Sequence, residues 1–388
     1  MKGAMENTAN GQWSLALKIH ELSEPGSREF QSSKLIIEVL KTHGFTVVEK
    51  YMGIPTAFRA EKILGNGKPT VAFLAEYDAL PGIGHACGHN LIAASAVYSA
   101  IESSRLITNG RILVIGTPDE EGSGEFSGSK ILMADRGAFK DVDLVLGSHP
   151  GDSWNVGLKS LAVQDYEVTF WGIASHEAAS PELGRSALDA AILTYNAVNM
   201  LRQHVRRDAN VVIHGIIKEG GTASNVTPEK AVLVYGIRSS DVKYQAELLK
   251  RFKTIIKGCA LATETTFELK EIGPLFTTTK INETLSNSIR ERLLKKGVDC
   301  PTLSETLSRQ AGGSTDFANV SQVVPALEVD FQIALPGTPW HSRLSLEASI
   351  SDKARKALSL VVETLSETAK AFCEDRTFRE NIRKEFEK

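Results

Sequence analysis

A chain of 388 residues is longer than one hydrophobic core usually extends, so two domains are expected. With 42% hydrophobic and 23% charged residues, the composition is that of a globular protein and excludes the disordered and fibrous classes. A formal net charge of −3 gives no electrostatic reason to expect nucleic acid or an acidic membrane surface as a partner.

The cysteines show no pattern of paired spacing; they stand at Cys87, Cys259, Cys300 and Cys373. This arrangement argues against a disulfide framework and favours a reducing compartment. No run of about 18 apolar residues occurs, and residues 1–13 are polar, without an apolar core of signal-peptide length. We therefore expect a cytoplasmic protein without a membrane partner.

Helices and buried strands alternate among the predicted elements of the first half. Two helices are expected between Gly11 and His43, and another over 91–104 with Asn90 as its N-cap. Short continuous apolar runs are typical of strands that are buried on both faces of a sheet. Such runs span 70–75, 111–116, 142–147 and, far downstream, 323–329. Pro325 argues against a central position for the last of these, because proline suits an edge strand better.

Each of these runs ends shortly before a candidate metal ligand or acid. The residues concerned are Asp78, Glu120, Glu121, His149 and, after a longer loop, His341. In open α/β sheets, sites form outside the carboxyl ends of the strands, so residues distant in sequence converge on one crevice. The pattern predicts an α/β fold with a site at this edge of its sheet.

Cys87 and His89 lie two positions apart, with Gly88 between them and the predicted helix directly after. The positive end of that helix is expected to favour the thiolate, which is the form that binds metal. A single Cys-x-His is a weak signal, but a pair of acids and two further histidines at strand ends strengthen it. The sequence therefore predicts a transition-metal site.

Glu120 and Glu121 are adjacent acids, and such pairs are usually solvated loop charges. Here they follow an apolar strand and a proline, so one carboxylate is available to bind metal while its neighbour faces a bound water. A metal lowers the pKa of that water, and a carboxylate beside it can take the proton and hand it to a leaving amine. These are the groups that hydrolysis of an amide requires.

The sequence disfavours two other enzyme classes, nucleotide enzymes and serine hydrolases. The glycine-rich stretch 122–130 is not a phosphate-binding loop, because Ser129 separates Gly128 from Lys130 and the preceding acids would repel phosphate. A Gly-x-Ser-x-Gly motif, which would indicate a serine hydrolase, does not occur.

The pattern changes in the middle of the chain, where the predicted order is β-α-β-β-α-β. This order is that of a ferredoxin-like unit. We therefore expect a catalytic domain over 1–160 and 274–388, with a second domain inserted over 161–273.

Taken together, the motifs resemble those of the M20 family of metallopeptidases, in the amidohydrolase branch. This branch includes aminobenzoyl-glutamate hydrolases, aminoacylases and an M20 domain-containing dipeptidase. The resemblance covers nearly the whole chain in order, through 75–81, 85–90, 117–122, 147–149, 175–190, 221–228 and 313–317. It implies a zinc-peptidase-like α/β/α catalytic domain with an inserted ferredoxin-like lid and dimerisation domain.

The resemblance also implies a site with two divalent metal ions. Zinc or manganese would suit it best, and cobalt or nickel are compatible with the same ligands. Cys87 would bridge the two ions, and the remaining ligands would be His89, Glu121, His149 and His341. Glu120 would be the general base, and Asp78 would orient a ligand.

Within the insertion, His176, Asn225 and Arg238 taken singly indicate loop or surface positions. The resemblance implies that the insertion is a lid that mediates homodimerisation. His176 would then reach the other subunit's site and stabilise the oxyanion, while Asn225 and Arg238 would hold the carboxylate or backbone of the substrate. The implied substrate is a small N-acyl amino acid or a dipeptide with a free carboxylate.

Asn90 departs from many members of the branch, which carry aspartate after Cys-Gly-His. This choice resembles the dipeptidase and aminobenzoyl-glutamate hydrolase members more than the aminoacylases, and it leaves the metal preference open. Two alternatives stay open. One is the same chemistry on another C–N bond, such as a cyclic amide or a carbamoyl group. The other is a catalytically silent, metal-stabilised dimer that binds a ligand or a partner, although a binding protein has no need of Glu120.

Overall fold

The computed structural model describes residues 2–309 and 313–388, with side chains described from Asn10 onward. It divides into two compact units. The first is built from the described parts of Met1–Lys159, Thr279–Arg309 and Thr315–Lys388, and the second from those of Ser160–Thr278 and Gln310–Ser314. The second unit is therefore an insertion into the first along the chain.

The strands are labelled in chain order. They are β1 (Thr46–Glu49), β2 (Phe58–Leu64), β3 (Thr70–Ala75), β4 (Gly110–Gly116), β5 (Leu144–Gly151), β6 (Asn155–Val156), β7 (Ala162–Trp171), β8 (Val212–Glu219), β9 (Lys230–Ser239), β10 (Thr266–Phe276) and β11 (Ala326–Gln332).

The helices are labelled in the same way. They are α1 (Lys2–Leu22), α2 (Phe30–Thr42), α3 (His89–Leu106), α4 (Ser129–Asp135), α5 (Ala187–Leu201), α6 (Val242–Ala262), α7 (Glu283–Lys295), α8 (Leu303–Ser308), α9 (Phe317–Val320), α10 (Arg343–Ala348), α11 (Asp352–Glu374) and α12 (Arg376–Phe386). Among the described residues, none of these helices is both long and apolar enough to cross a lipid bilayer.

The first unit is organised around a sheet with the described strand order β1-β2-β4-β3-β5-β11-β6. Its central strands β4, β3, β5 and β11 are parallel. Successive side chains of a strand point to opposite faces. Val71 and Phe73 accordingly pack into a core with α3 and α11, whereas Ala72 and Leu74 pack into a second core with α4 and α9. The α/β/α architecture predicted for this unit is confirmed.

Two predicted strands differ in their limits from the observed ones. The run 142–147 is continued as β5 to Gly151, so His149 lies inside the strand and not after it. The run 323–329 begins as a strand only at Ala326, because Pro325 has no N–H to donate to a neighbouring strand. The carbonyl of Pro325 accepts from Val145 N at 2.9 Å, and β11 lies between β5 and β6 and not at an edge.

The prediction of Asn90 as the N-cap of α3 is wrong. The helix begins at His89, and the N-cap is Gly88, whose φ of +85° is in the left-handed region. Asn90 is buried in the first helical turn, where Nδ2 donates to the carbonyl of Ala16 at 3.3 Å. Asn90 therefore fixes α3 against α1.

The second unit is a ferredoxin-like fold. Its sheet has the described order β10-β7-β9-β8, with every pairing antiparallel. Helices α5 and α6 each begin at a capping side chain, since Ser186 accepts from Asp189 N and Asp241 accepts from Tyr244 N. Apolar side chains of the sheet, including Phe170, pack with those of both helices into a separate core. The predicted inserted α+β fold is confirmed.

Candidate metal centre

Four of the predicted ligands meet at the carboxyl ends of the parallel strands. Cys87 Sγ lies 3.5 Å from His149 Nε2 and 3.3 Å from His341 Nε2. His341 Nε2 also lies 3.6 Å from Glu121 Oε1. Residues separated by as many as 254 positions thus face one another, as the strand-end pattern predicted.

His89 is oriented by Asp78. The Nδ1 atom of His89 lies 2.9 Å from Asp78 Oδ1, while Asp78 Oδ2 accepts from Glu121 N at 3.0 Å. Burial alone would raise the pKa of Asp78, but the hydrogen-bonded His89 outweighs it, and the pKa is lowered to about 2. The carboxylate keeps the proton of His89 on Nδ1, so Nε2 is left as the ligand atom.

His149 is oriented in the same sense by the backbone. Its Nδ1 lies 2.8 Å from the carbonyl of Pro150 and carries the proton, which leaves Nε2 to face Cys87. Burial lowers the pKa of His149 to about 4, so the imidazole is neutral at pH 7. A neutral imidazole is the form that binds a metal ion.

The Cys87 thiol does not behave as the helix-end argument predicted. Burial raises its pKa to about 12, and this outweighs the lowering effect of the neighbouring His89. The helix end alone therefore does not produce a thiolate. A buried thiol of this kind loses its proton when a metal ion binds to its sulfur.

The ligand atoms fit a divalent metal. Among the described residues, three groups have ligand atoms within 4.8 Å of one another: Cys87, His89 and His149; Cys87, Glu121 and His341; and Glu76, His89 and Glu120. The buried atoms His89 Nε2 and Glu121 Oε1 have no hydrogen-bond partner within the described part of the chain. Buried polar atoms normally have partners, so these are available to an ion. Thiolate, imidazole and carboxylate together suit a transition metal.

Glu120 lies at the rim of this cluster. Its Oε2 is 3.7 Å from His89 Nε2, and its side chain is 14% exposed. Burial, together with the neighbouring carboxylate of Glu76, raises the pKa of Glu120 well above its ordinary value. A carboxylate with raised proton affinity has the property required of a general base near neutral pH.

A buried ionic network that the sequence did not predict lies beside the cluster. Lys130 Nζ lies 2.9 Å from Glu76 Oε1 and also donates to Asp316 Oδ1. Burial opposes the charge on Lys130, but Asp316 and Glu76 raise its pKa well above the ordinary value. The signals in the sequence are that Glu76 directly follows the apolar run 70–75 and that Asp316 lies in the stretch 313–317, which resembles the family.

The remaining predicted residues lie in the second unit. His176 is exposed, and its Nδ1 accepts from Ala178 N and Ala179 N, each at 3.2 Å. Asn225 is exposed, and its carbonyl accepts from Glu177 N at 3.1 Å. Arg238 is half-buried, and one of its guanidinium nitrogens donates to Ser314 Oγ at 3.1 Å.

Comparison with known proteins identifies the family. The family model described as Peptidase family M20/M25/M40 matches residues 72–365. The chain belongs to peptidase family M20. Xaa-Arg dipeptidase of Mus musculus is 36% identical over 350 residues, which cover 87% of this chain and 79% of that protein. One of the subunits of p-aminobenzoyl-glutamate hydrolase from Escherichia coli (strain K12) is 34% identical over 301 residues, or 72% of this chain and 61% of that protein.

A solved structure of a dinuclear metal-binding peptidase of the M20 family from Bacillus subtilis shares the fold. Its TM-score is 0.69 at 20% identity, with 93% of this chain and 99% of that chain covered. The predicted membership of the M20 family is confirmed, and with it the prediction of a metal-dependent amide hydrolase. Relatives that are hydrolases favour this function over a catalytically silent binding protein.

Proposed function

We propose that this M20 enzyme hydrolyses the amide bond of a dipeptide, or of a small N-acyl amino acid with a free carboxylate, with Glu120 as general base. The observation that carries this proposal is the position of Glu120, whose Oε2 lies 3.7 Å from His89 Nε2, an atom without a hydrogen-bond partner among the described residues. A dipeptidase and an aminobenzoyl-glutamate hydrolase among the relatives support the substrate class.

The site would hold two divalent ions, with zinc or manganese preferred and cobalt or nickel compatible. The residues that would hold them are Cys87, as the bridging ligand, with His89, Glu121, His149 and His341. When bound, such ions lower the pKa of a water molecule and polarise the substrate carbonyl. The dinuclear peptidase from Bacillus subtilis supports the number of ions.

Glu120 would move one proton twice. Its carboxylate accepts a proton from the attacking water, whose oxygen forms a bond with the carbonyl carbon of the substrate. The C–N bond then breaks, and Glu120 gives the proton to the leaving nitrogen. The raised pKa of Glu120, caused by burial and by Glu76, supports both transfers, because it allows the carboxyl to hold the proton between them.

His176 would stabilise the oxyanion in the site of the partner subunit. Because Ala178 N and Ala179 N both donate to Nδ1, the neutral ring carries its proton on Nε2. Nε2–H is therefore a donor available to a developing negative charge. Asn225 and Arg238 would bind the carboxylate or backbone of the substrate, and the exposure of Asn225 leaves its side chain free to do so.

The second unit carries an apolar surface that supports a homodimer. Strand β8 is an edge strand, and its Ile216 and Ile217 are 60% and 40% exposed. On α5, Ile192 and Met200 are 43% and 63% exposed. An unpaired strand edge with apolar side chains favours pairing with another chain. We expect Ile216→Lys to give monomers in multi-angle light scattering, while Leu261→Lys, at an exposed apolar position on α6, leaves the dimer intact.

The dimer and the role of His176 are tested together by complementation. His176→Ala and Glu120→Gln should each be inactive alone. If His176 serves the partner's site, co-expressed heterodimers of the two variants regain activity, because one of the two sites then has both residues intact. Heterodimers without activity would contradict the exchange of His176 between subunits.

A cytoplasmic location is also proposed. The four cysteines, all within the described residues and all unpaired, support it.

Glu120→Gln tests the proposed mechanism itself. We expect turnover to fall by roughly 10²- to 10⁴-fold, the range for loss of a general base, with the metal content unchanged. The substrate panel should contain dipeptides, including those ending in arginine, N-acyl amino acids and p-aminobenzoyl-glutamate, with cyclic amides and carbamoyl amino acids as the competing C–N bonds. Undiminished turnover by Glu120→Gln would exclude Glu120 as the base.

A further inference from the structure

Glu29 is a buried carboxylate that belongs to none of the groups discussed above. It lies in the first unit at the start of α2, and none of its surface is exposed. Its Oε1 accepts from Ser27 N at 3.0 Å and from Asp119 N at 2.9 Å, and its Oε2 accepts from Thr56 Oγ1 at 2.9 Å. Glu29 therefore joins the α1–α2 loop to the residue that directly precedes Glu120.

Asp119 has a conformation that needs such support. Its φ is +59°, in the left-handed region that a residue with a Cβ rarely adopts. Asp119 is fully buried, and its side chain accepts from Gly124 N at 3.0 Å, Phe126 N at 3.0 Å and Ser27 Oγ at 2.6 Å. The turn 119–126 is thus held both by its own backbone and by the α1–α2 loop.

The α1–α2 loop has no room to shift against this turn. A Cβ built on Gly26 would lie 2.0 Å from Asp119 Oδ1, and Gly26 N donates to Ser123 Oγ at 3.0 Å. A Cβ built on Gly124 would lie 2.4 Å from the carbonyl oxygen of Gly26. Close packing of this kind transmits the position of the loop to the turn.

We propose that Glu29 is a positioning residue for the general base Glu120. The proposal rests on the function proposed above for Glu120. Glu29 accepts a hydrogen bond from Asp119 N and so fixes the local backbone conformation. That conformation sets the direction of the Glu120 side chain. Displacing a catalytic group by about 1 Å can lower the rate about 100-fold, so an anchor one residue from the base controls kcat.

The positioning depends on the oxygen atoms of Glu29 and not on its charge. Burial and the nearby carboxylate of Asp78 raise the pKa of Glu29 to about 7. In the neutral carboxyl, Oε1 still accepts from both backbone N–H groups, and the other oxygen can donate to the Thr56 hydroxyl. Gln has the same shape and can make the same contacts, so Glu29→Gln is the conservative variant.

The test compares Glu29→Gln with Glu29→Leu in the metal-loaded enzyme. We expect Glu29→Leu to lower kcat about 10- to 100-fold, with KM and metal content unchanged, because substrate and metal contacts are intact. Glu29→Gln should keep kcat within about threefold of the wild type. A near-normal kcat in Glu29→Gln would show that the loss in Glu29→Leu comes from lost positioning and not from lost charge. Should Glu29→Leu fail to fold, Glu29→Asp replaces it, because its shorter side chain cannot reach Asp119 N.

Glu24→Ala is the matched control. Glu24 lies in the same loop, and its carboxylate also accepts backbone hydrogen bonds, from Gln31 N at 3.0 Å and Ser32 N at 2.8 Å, but these belong to α2 and not to the turn. Its kcat should equal that of the wild type. Wild-type kcat in Glu29→Leu or Glu29→Asp, or a loss that Gln does not recover, would overturn the role of Glu29 alone. A fully active Glu120→Gln would instead overturn the proposed mechanism.

Discussion

Lys130 and Glu76 form an ion pair beside the metal centre, with Nζ 2.9 Å from Oε1 and side-chain exposures of 0% and 3%. Lys130 Nζ also donates to Asp316 Oδ1, so one cation serves two buried carboxylates, and the backbone N of Lys130 donates to Asp316 Oδ2 at 3.1 Å. The network joins the carboxyl end of β3 to the N-termini of α4 and α9. Its charges compensate one another, and loss of the cation would leave two negative charges in a site from which water is excluded.

Lys130→Met is therefore expected to lower the free energy of unfolding by about 3–5 kcal/mol, the range for breaking a buried ion pair. Lys41→Met is the matched control, since Lys41 and Glu49 form a pair at 3.0 Å with exposures of 51% and 59%. An exposed pair contributes about 1 kcal/mol or less. Urea unfolding of both variants measures these losses. Equal losses of unfolding free energy would mean that the buried pair contributes no more to stability than the exposed pair.

Gly88 lies between the two ligands Cys87 and His89, and alanine at this position would be unfavourable for two reasons. Its φ is +85°, and an added Cβ would lie 2.4 Å from Pro150 Cγ. Gly82 has a similar φ of +78°, but apart from Gly82 and its two chain neighbours no described residue has an atom within 4 Å of such a Cβ. Gly82→Ala should thus cost about 1–2 kcal/mol of backbone strain alone.

Gly88→Ala should cost about 1–3 kcal/mol more than Gly82→Ala, because the Cβ also overpacks against Pro150. The clash displaces the backbone between the ligands, so the bound metal should fall well below the wild-type amount. Thermal unfolding and metal analysis of the two variants measure both effects. Full metal content in Gly88→Ala would show that the ligands tolerate the displacement.

The fold was predictable where local pattern decides it. The apolar run 70–75 coincides with β3, because a short continuous apolar run between polar turns is typical of a strand that is buried on both faces. The limits of β11 were missed by three residues at each end, since a neighbouring strand, and not the local pattern, decides where pairing begins. Asn90 is not the cap because the αL conformation of Gly88 starts the helix two positions earlier than the predicted side-chain cap would.

The ligands of the site were predictable for a different reason. Parallel strands end at one edge, so a polar residue after each apolar run was enough to bring Cys87, Glu121 and His149 together. The supporting charges were not predictable. Lys130 contacts Asp316 across 186 positions, and Glu29 contacts Asp119 across 90. Sequence alone gives no sign that such charges are buried, because most charged residues are solvated.

Asp78 offers a test of how the ligands are oriented. Its two oxygens serve His89 Nδ1 and Glu121 N, at 2.9 and 3.0 Å, so Asn in its place must turn an amide N–H toward one of these two donors. We expect Asp78→Asn to weaken metal binding about 10- to 100-fold, as is usual when the partner of a ligating histidine is removed. Competition with a chelator of known affinity measures this.

Asp143→Asn is the control for that variant. Asp143 Oδ2 accepts from Thr70 N at 2.8 Å, at the end of β3 that is remote from the metal centre. Its metal affinity should equal that of the wild type. If both variants lose affinity equally, the loss reflects general destabilisation, and the orientation of His89 by Asp78 has no separate effect.

Glu29 also predicts a pH dependence of stability. Its pKa in the folded protein is raised from 4.5 to about 7, chiefly by burial. Between these values the unfolded chain has lost the proton that the folded protein keeps, so the folded state binds more protons. The stability contributed by this group is therefore fully present below pH 4.5 and is lost as the pH rises through 7. Glu29→Gln cannot titrate and is not subject to this loss.

The unfolding free energy of Glu29→Gln, relative to the wild type, should thus increase between about pH 4.5 and about pH 8. The raised pKa corresponds to a gain on the order of 2–3 kcal/mol, because each tenfold change in proton affinity is worth about 1.4 kcal/mol. Urea unfolding of both proteins at the two pH values, with the same metal concentration, gives the double difference from which all other titrating groups cancel. A double difference that stays constant with pH would show that Glu29 has its ordinary pKa in the folded protein, and that burial does not raise it.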